Sequence, residues 1–481
     1  MKIRIPLIIS SLMSLLVLLG CASRPKLNLD ELLQKTEDEI LTEVAKLPDK
    51  DIDLGAVALV LAKGYYPEVD IRKYLHELDK MAKEVKQQMS NEKEPERIIQ
   101  ILNNYLYETK NFESANIISD PRGGAARLSL SHIIEEKTGD CIGLSVLYLA
   151  LAERLKLPFY GVGLPDHMFV RYDNGILQRN IEVALEKGIH LSKNEYINLM
   201  KEVDKRVLRN IDKKVLEGLP ESIRRQIDEM AKPVIMTSED IDRGGYFVNL
   251  SKKDVIAHII INRASVYADE GKYNKAKEDI EKTISLNPTY PHLWGMISNI
   301  YSKIGDQKNA LKYIDEAIKK APQAFLFYHH RGFIYAGTGE LAKALSDYNT
   351  AIGLNPNDAT LYYGRGAIYD KMKEYDRALV DFDKAIELYP ESYLPQFGRA
   401  VVLFRRKEYE KSLESLGTVI KLRPKYAQSY YIRGLIYKEQ EESEKAIKAF
   451  EKYLELESNS PQAESVKQYI EELKAKIKEK E

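Results

Sequence analysis

The stretch Ala359–Ser392 reads ATLYYGRGAIYDKMKEYDRALVDFDKAIELYPES. Apolar residues recur at helical spacing in both of its halves, Gly366 and Ala378 are small, Tyr369 is large, and Pro390 closes the segment. Stepping outward by 34 residues recovers the same columns. Prolines stand at Pro288, Pro322, Pro356, Pro390 and Pro424. A small residue recurs at Ala264, Ser298, Gly332, Gly366, Ala400 and Gly434, and a second small column reads Ala276, Ala310, Ala344, Ala378, Ser412 and Ala446. Between them lie Tyr267, Tyr301, Tyr335, Tyr369, Leu403 and Tyr437. Two antiparallel helices approach closely only where side chains are small, so the small columns mark the crossing within a unit. The large column fills the gap between units, and proline stops the second helix.

These columns resemble the tetratricopeptide (TPR) repeat, whose period is 34 residues. Six units are expected over 257–460, stacked as an all-α superhelix, with 461–481 as a capping helix. In the family the fifth position of each first helix usually faces the concave groove, which here implies Ile261, Gly295, His329, Tyr363, Phe397 and Tyr431, the last four being the candidate partner-binding residues. A wall of this kind suits an extended protein or peptide partner with apolar side chains. The same rings equally suit packing between helices. Arg331, Arg365, Arg399 and Arg433 recur beside the small column, where a solvated or locally paired ladder is expected. Lys373, Lys407 and Glu441 stand where earlier units have Gly271, Gly305 and Gly339.

Upstream, residues 29–118 carry helical periodicity, and 114–125 contain the loop signal Asp120-Pro121-Arg122-Gly123-Gly124. A different text follows: TGDCIGLSVLYLALAERLKLPFYGVGLPDHMFVRYDNGILQRNIEV, residues 138–183. Cys141 opens an apolar helix, where first-turn N–H groups favour an anion. Two β stretches, Phe159 to Leu164 and Met168 to Tyr172, precede the hairpin signal Asp173-Asn174-Gly175. With Asn174-Gly175 as a two-residue loop, His167 lies opposite Glu182, and Asn180 is a diagonal second choice. Asp166 neighbours the histidine but points to the other face. Cys141, His167 and Glu182 thus form a candidate nucleophile, base and orienting carboxylate.

This segment resembles the transglutaminase-like superfamily, which shares a papain-like α+β core. The helix-borne cysteine, strand-borne histidine and acidic residue on the next strand occur in the family's order. The resemblance implies that Cys141 is the nucleophile, His167 the base and Glu182 the third member, although aspartate is the family's usual third residue.

The N-terminus reads as a targeting segment. Lys2 and Arg4 precede an apolar run ending in Leu18-Leu19-Gly20-Cys21, which resembles a bacterial lipobox. Residues 1–20 are then a signal peptide and 21–28 a tether. Acylated Cys21 anchors the chain in a lipid bilayer of the cell envelope, with the outer membrane or cell surface favoured by Ala22. Residues 29–118 are the helical N-terminal part, 119–190 the core and 191–256 a helical connector. The fold expected is mainly α, with this small α+β core ahead of the TPR superhelix.

At 481 residues the chain needs two or three domains, and its net charge of −1 argues against nucleic acid as partner. Two cysteines give no disulfide framework. Histidines lack metal-ligand spacing and no phosphate-cradling glycine loop occurs, so neither metal nor cofactor is expected. Two functions remain: an envelope-anchored thiol enzyme acting on peptide or amide bonds, or a non-catalytic TPR scaffold that assembles envelope proteins.

Overall fold

A computed structural model describes residues 29–114, 128–164, 167–184, 190–191 and 247–480. The signal and lipidation site at Cys21, the loop at 120–124, Asp166 and most of the 191–256 connector lie outside the described residues. The chain forms two compact units: one reaches His190 and resumes over Asn249–Thr289, the other includes everything from Tyr290 onward.

The first unit is organised around the helix Cys141–Arg154. Every residue from Ile142 to Ala152 is buried, because the sequence is apolar on all sides and must be covered all round. The helix Leu54–Ala62, equally apolar and entirely buried, packs on it, as does the amphipathic helix Ile71–Met89. A short parallel pair, β1 (Glu113–Ser114) and β2 (Thr138–Gly139), leads into the central helix. The main sheet holds β3 (Phe159–Leu164), β4 (His167–Asp173), β5 (Gln178–Ile181), β6 (His190–Leu191) and β7 (Asn249–Leu250), in the order β6-β5-β4-β3-β7.

The first repeat belongs to this unit. The sequence starts the array at 257, but its first helix runs Lys252–Asp269, directly after β7 has paired with β3. Val255, Ile256, Ile259, Ile260 and Ile261 are all buried, so no face of the helix is left polar. A side chain added at Gly161 of β3 would meet Val255 at 3.0 Å, which shows how closely helix and sheet approach. Arg263 is bidentate to Asp279 of the partner helix Tyr273–Ser285, and also bonds Glu37 and the Leu61 carbonyl. Burial raises Asp279 above the usual carboxylate range, even against Arg263. Burial also pushes Glu37 upward, but Arg263 and Lys282 outweigh it and hold that carboxyl low.

In the second unit, helix pairs Pro291–Lys303/Gln307–Lys320 to Ala427–Glu439/Ser443–Leu456 repeat the same hairpin, and Ala463–Lys480 closes the end. That last helix places Val466, Ile470 and Leu473 on Phe450 and Tyr453. The small column does what its size requires: a Cβ at Gly332, Gly366 or Gly434 would approach the facing Tyr348, Phe382 or Phe450 ring to 3.0, 2.9 and 2.5 Å. Lys373, Lys407 and Glu441 take φ of 60°, 63° and 58°, the left-handed conformation that Gly305 and Gly339 adopt in the matching turns. The turn geometry is therefore kept at positions where glycine has been lost.

The arginine column is a paired ladder. Arg331 grips Asp347 and Arg365 grips Asp381, each through Nε and Nη2 at 2.7–2.8 Å. Arg399 finds Ser415 in the matching place and Asp383 in the preceding unit. Arg433 instead lies over the Tyr437 ring.

Candidate active site

Asp140 caps the central helix, its carboxylate accepting from the Gly143 N–H at 2.7 Å. That cap sets Cys141 as the first helical residue, partly exposed to solvent. His167 opens β4 and is 8% exposed, while Glu182 is fully buried. His167 Nε2 lies 2.9 Å from Glu182 Oε2. The second carboxylate oxygen, Oε1, accepts from the Ala184 N–H at 2.8 Å. Cys141 lies close enough to the same imidazole to act on its charge. The helix and sheet are tied directly beside this point by Ser145, whose hydroxyl donates to the Met168 carbonyl at 3.3 Å.

Burial opposes a charged imidazole, but the neighbouring Cys141 and the Glu182 carboxylate outweigh it and hold His167 well above the usual histidine range. The arrangement therefore favours an imidazolium held by the buried Glu182 carboxylate beside the candidate nucleophile.

The three residues come together by a route that differs from the hairpin reading. Asp173 pairs with Gln178, not with Ile176, so the connection holds four residues, 174–177. Asn174 Oδ1 accepts from the N–H groups of Ile176 and Leu177 and closes this longer turn. The register thus moves by two residues. Because side chains alternate with a period of two, an even shift keeps Glu182 on the face of His167 but makes it diagonal rather than opposite. Asn180, the second choice, faces Arg171 and accepts from its Nε at 2.8 Å.

Two residues that the sequence reading did not single out adjoin the site. Tyr107 donates to the Val183 carbonyl at 3.2 Å, and Tyr148 of the central helix donates to Asn103 Oδ1 at 3.1 Å. No sequence motif marks Tyr107, and Tyr148 is legible only as part of the apolar helix after Cys141, since each bond joins segments far apart in the chain. Among the described residues no group of three or more His, Cys, Asp or Glu side chains is placed to hold a metal ion.

In the second unit His329, Tyr363, Phe397 and Tyr431 are half-buried. Each ring rests on another: His329 on Tyr348 at 5.5 Å, Tyr363 on Phe382 at 6.0 Å, Phe397 on Tyr426 at 5.0 Å and Tyr431 on Tyr453 at 5.3 Å. They thus pack between helices on one side and keep part of their surface in solvent.

Residues 72–219 match the family profile of the transglutaminase-like superfamily, and 257–290, 291–323, 338–373, 359–392 and 427–460 match TPR profiles. The chain is a transglutaminase-like domain joined to tetratricopeptide repeats. Among curated proteins it is similar to a UPF0162 protein of Xylella fastidiosa strain Temecula1, 22% identical over 288 residues, covering 58% of this chain and 88% of that protein. A UPF0162 protein of strain 9a5c is 28% identical over 141 residues, 28% of this chain and 47% of that protein. Solved structures similar in part include YrrB, a TPR protein with an unusual peptide-binding site, with 21% identity, TM-score 0.33, and coverage of 39% of this chain and 97% of that one. PilF of Pseudomonas aeruginosa gives 16% identity and TM-score 0.39, covering 47% and 99%.

Proposed function

We propose that the first unit is a thiol acyltransferase or peptidase acting on peptide or amide bonds, and that the repeats hold its protein partner or substrate. The observation that carries this reading is the His167–Glu182 pair at 2.9 Å, buried beside Cys141 at the start of the central helix. Cys141 sulfur attacks the carbonyl carbon, and the first-turn N–H groups of its helix favour the negative charge that develops. The C–N bond breaks as the His167 imidazolium gives its proton to the leaving nitrogen, which leaves a thioester on Cys141. Water or an amine then attacks the thioester, with His167 taking its proton and sulfur leaving as thiolate. Glu182 holds the imidazole in place and balances its charge.

The rings of His329, Tyr363, Phe397 and Tyr431 offer apolar, partly open surface along successive repeats, which suits an extended peptide. Acylated Cys21 anchors the protein to an envelope membrane; metabolic palmitate labelling that is lost in Cys21→Ala tests this.

The deciding experiment is iodoacetamide alkylation of Cys141 across pH, read on the Cys141 peptide by mass spectrometry, in the wild type and His167→Ala. Rapid alkylation persisting well below the free-thiol range of about 8.5, and lost in the variant, supports the thiolate–imidazolium pair. A slow reaction, or one indifferent to His167, leaves a binding scaffold.

A further inference from the structure

The carboxylate of the triad is held from behind by a segment that no motif marks. The helix Pro95–Asn103 runs into a single π turn, Asn104–Thr109. Such turns are rare and concentrate at functional sites. This one buries three consecutive residues, Tyr105, Leu106 and Tyr107, which a regular amphipathic helix does not do. Tyr107 is thereby turned inward to donate to the Val183 carbonyl at 3.2 Å.

Val183 sits between the two residues that define the carboxylate. Glu182 supplies the side chain, and Ala184 supplies the N–H that Oε1 accepts. The β4–β5 ladder ends at the pair Val170–Ile181, one residue short of Glu182. The sheet's own register therefore does not fix the direction of 182–184. The Tyr107 bond holds the Val183 carbonyl, on the opposite side of the same peptide from the Ala184 N–H.

The same π-turn region is braced to the helix that bears the nucleophile. Asn103, immediately before the turn, accepts from Tyr148 of the helix that starts at Cys141. Burial first, and then the neighbouring Glu182 charge, push the Tyr107 phenol upward, so it stays a neutral donor at working pH. Residues 103–107 thus touch both the helix bearing the nucleophile and the segment bearing the carboxylate.

We propose that Tyr107 is a positioning residue for the triad, setting the Glu182–Ala184 segment so that the carboxylate meets His167. It rests on the triad reading given above and acts only through Glu182.

The test compares wild type, Tyr107→Phe, Glu182→Gln, the double variant and His167→Ala in the full chain, by Cys141 alkylation rate against pH. Tyr107→Phe removes one hydroxyl and keeps the ring in the core, and a thermal melt of each variant checks folding. A lost hydrogen bond of ordinary strength predicts that Tyr107→Phe slows alkylation near neutral pH by about three- to tenfold. Because Tyr107 acts through the carboxylate, the double variant should be no slower than Glu182→Gln alone. That non-additivity is what a merely structural tyrosine would not produce. Wild-type alkylation in Tyr107→Phe, in a protein that His167→Ala does slow, overturns the positioning role and leaves the triad standing. Losses that multiply in the double variant overturn it as well. Wild-type rates in both His167→Ala and Glu182→Gln overturn the triad, and the role of Tyr107 with it.

Discussion

Glu182 reaches His167 from one residue beyond its ladder, and diagonally. Diagonal partners stand about 7–8 Å apart at Cα, against about 4.5–5.5 Å for Cβ atoms directly opposite. Glutamate, one methylene longer than aspartate, gives the additional reach that a diagonal pair requires. Glu182→Asp should therefore fall short and lower the Cys141 alkylation rate at neutral pH by about tenfold, the loss expected when a charge-assisted bond of roughly 1.5 kcal/mol is broken. A wild-type rate in Glu182→Asp would show that the bond length is not what matters. The raised His167 carries a sign for stability. Its contribution is complete below the unfolded histidine value of about 6.5 and is lost as pH rises through the higher folded value. Denaturant unfolding between pH 6 and 10 should show wild type losing an advantage over His167→Gln on the alkaline side. An advantage that grows with pH would contradict the assignment.

At the scale of elements, the repeats show which sequence columns carry energy. Gly434 faces Phe450 so closely that a Cβ would lie 2.5 Å from its ring. Gly434→Ala should cost about 1–3 kcal/mol by overpacking, measured as a loss in denaturant midpoint. Lys407 points the other way. It holds φ of 63° in open turn geometry where its counterpart Gly339 has φ of 82°, so Lys407→Gly should stabilise the array by up to about 1 kcal/mol. The ladder arginines do not contribute equally. Arg263 is 2% exposed and serves two carboxylates from different elements. Arg263→Ala should cost about 3–5 kcal/mol, because it strands Asp279 in the interior, while Glu37 keeps Lys282 at 3.0 Å. Double-variant cycles with Asp279→Asn would return part of that loss.

At the scale of the whole molecule, the first tetratricopeptide repeat is a repeat by sequence and a component of the transglutaminase-like unit by packing. Its opening helix carries apolar residues on every face, so removing it uncovers the sheet and the central helix together. A chain ending at Leu250 should aggregate or melt without cooperativity, while one ending at Thr289 should fold, as judged by circular dichroism and gel filtration. Equal folding of both would show that the repeat is dispensable. Sequence by itself determined the array, the central helix and the identity of the three candidate site residues. Those features are local: a period of 34 residues, an unbroken apolar run, and alternation along strands whose parity survives an even error in register. Only the tertiary structure decided that the hairpin turn holds four residues, that Glu182 is diagonal to His167, that the first repeat joins the domain, and that Tyr107 braces the carboxylate segment. Each of these depends on contacts between segments far apart in sequence, whose energies arise from close packing and single hydrogen bonds and leave no periodic trace in the chain.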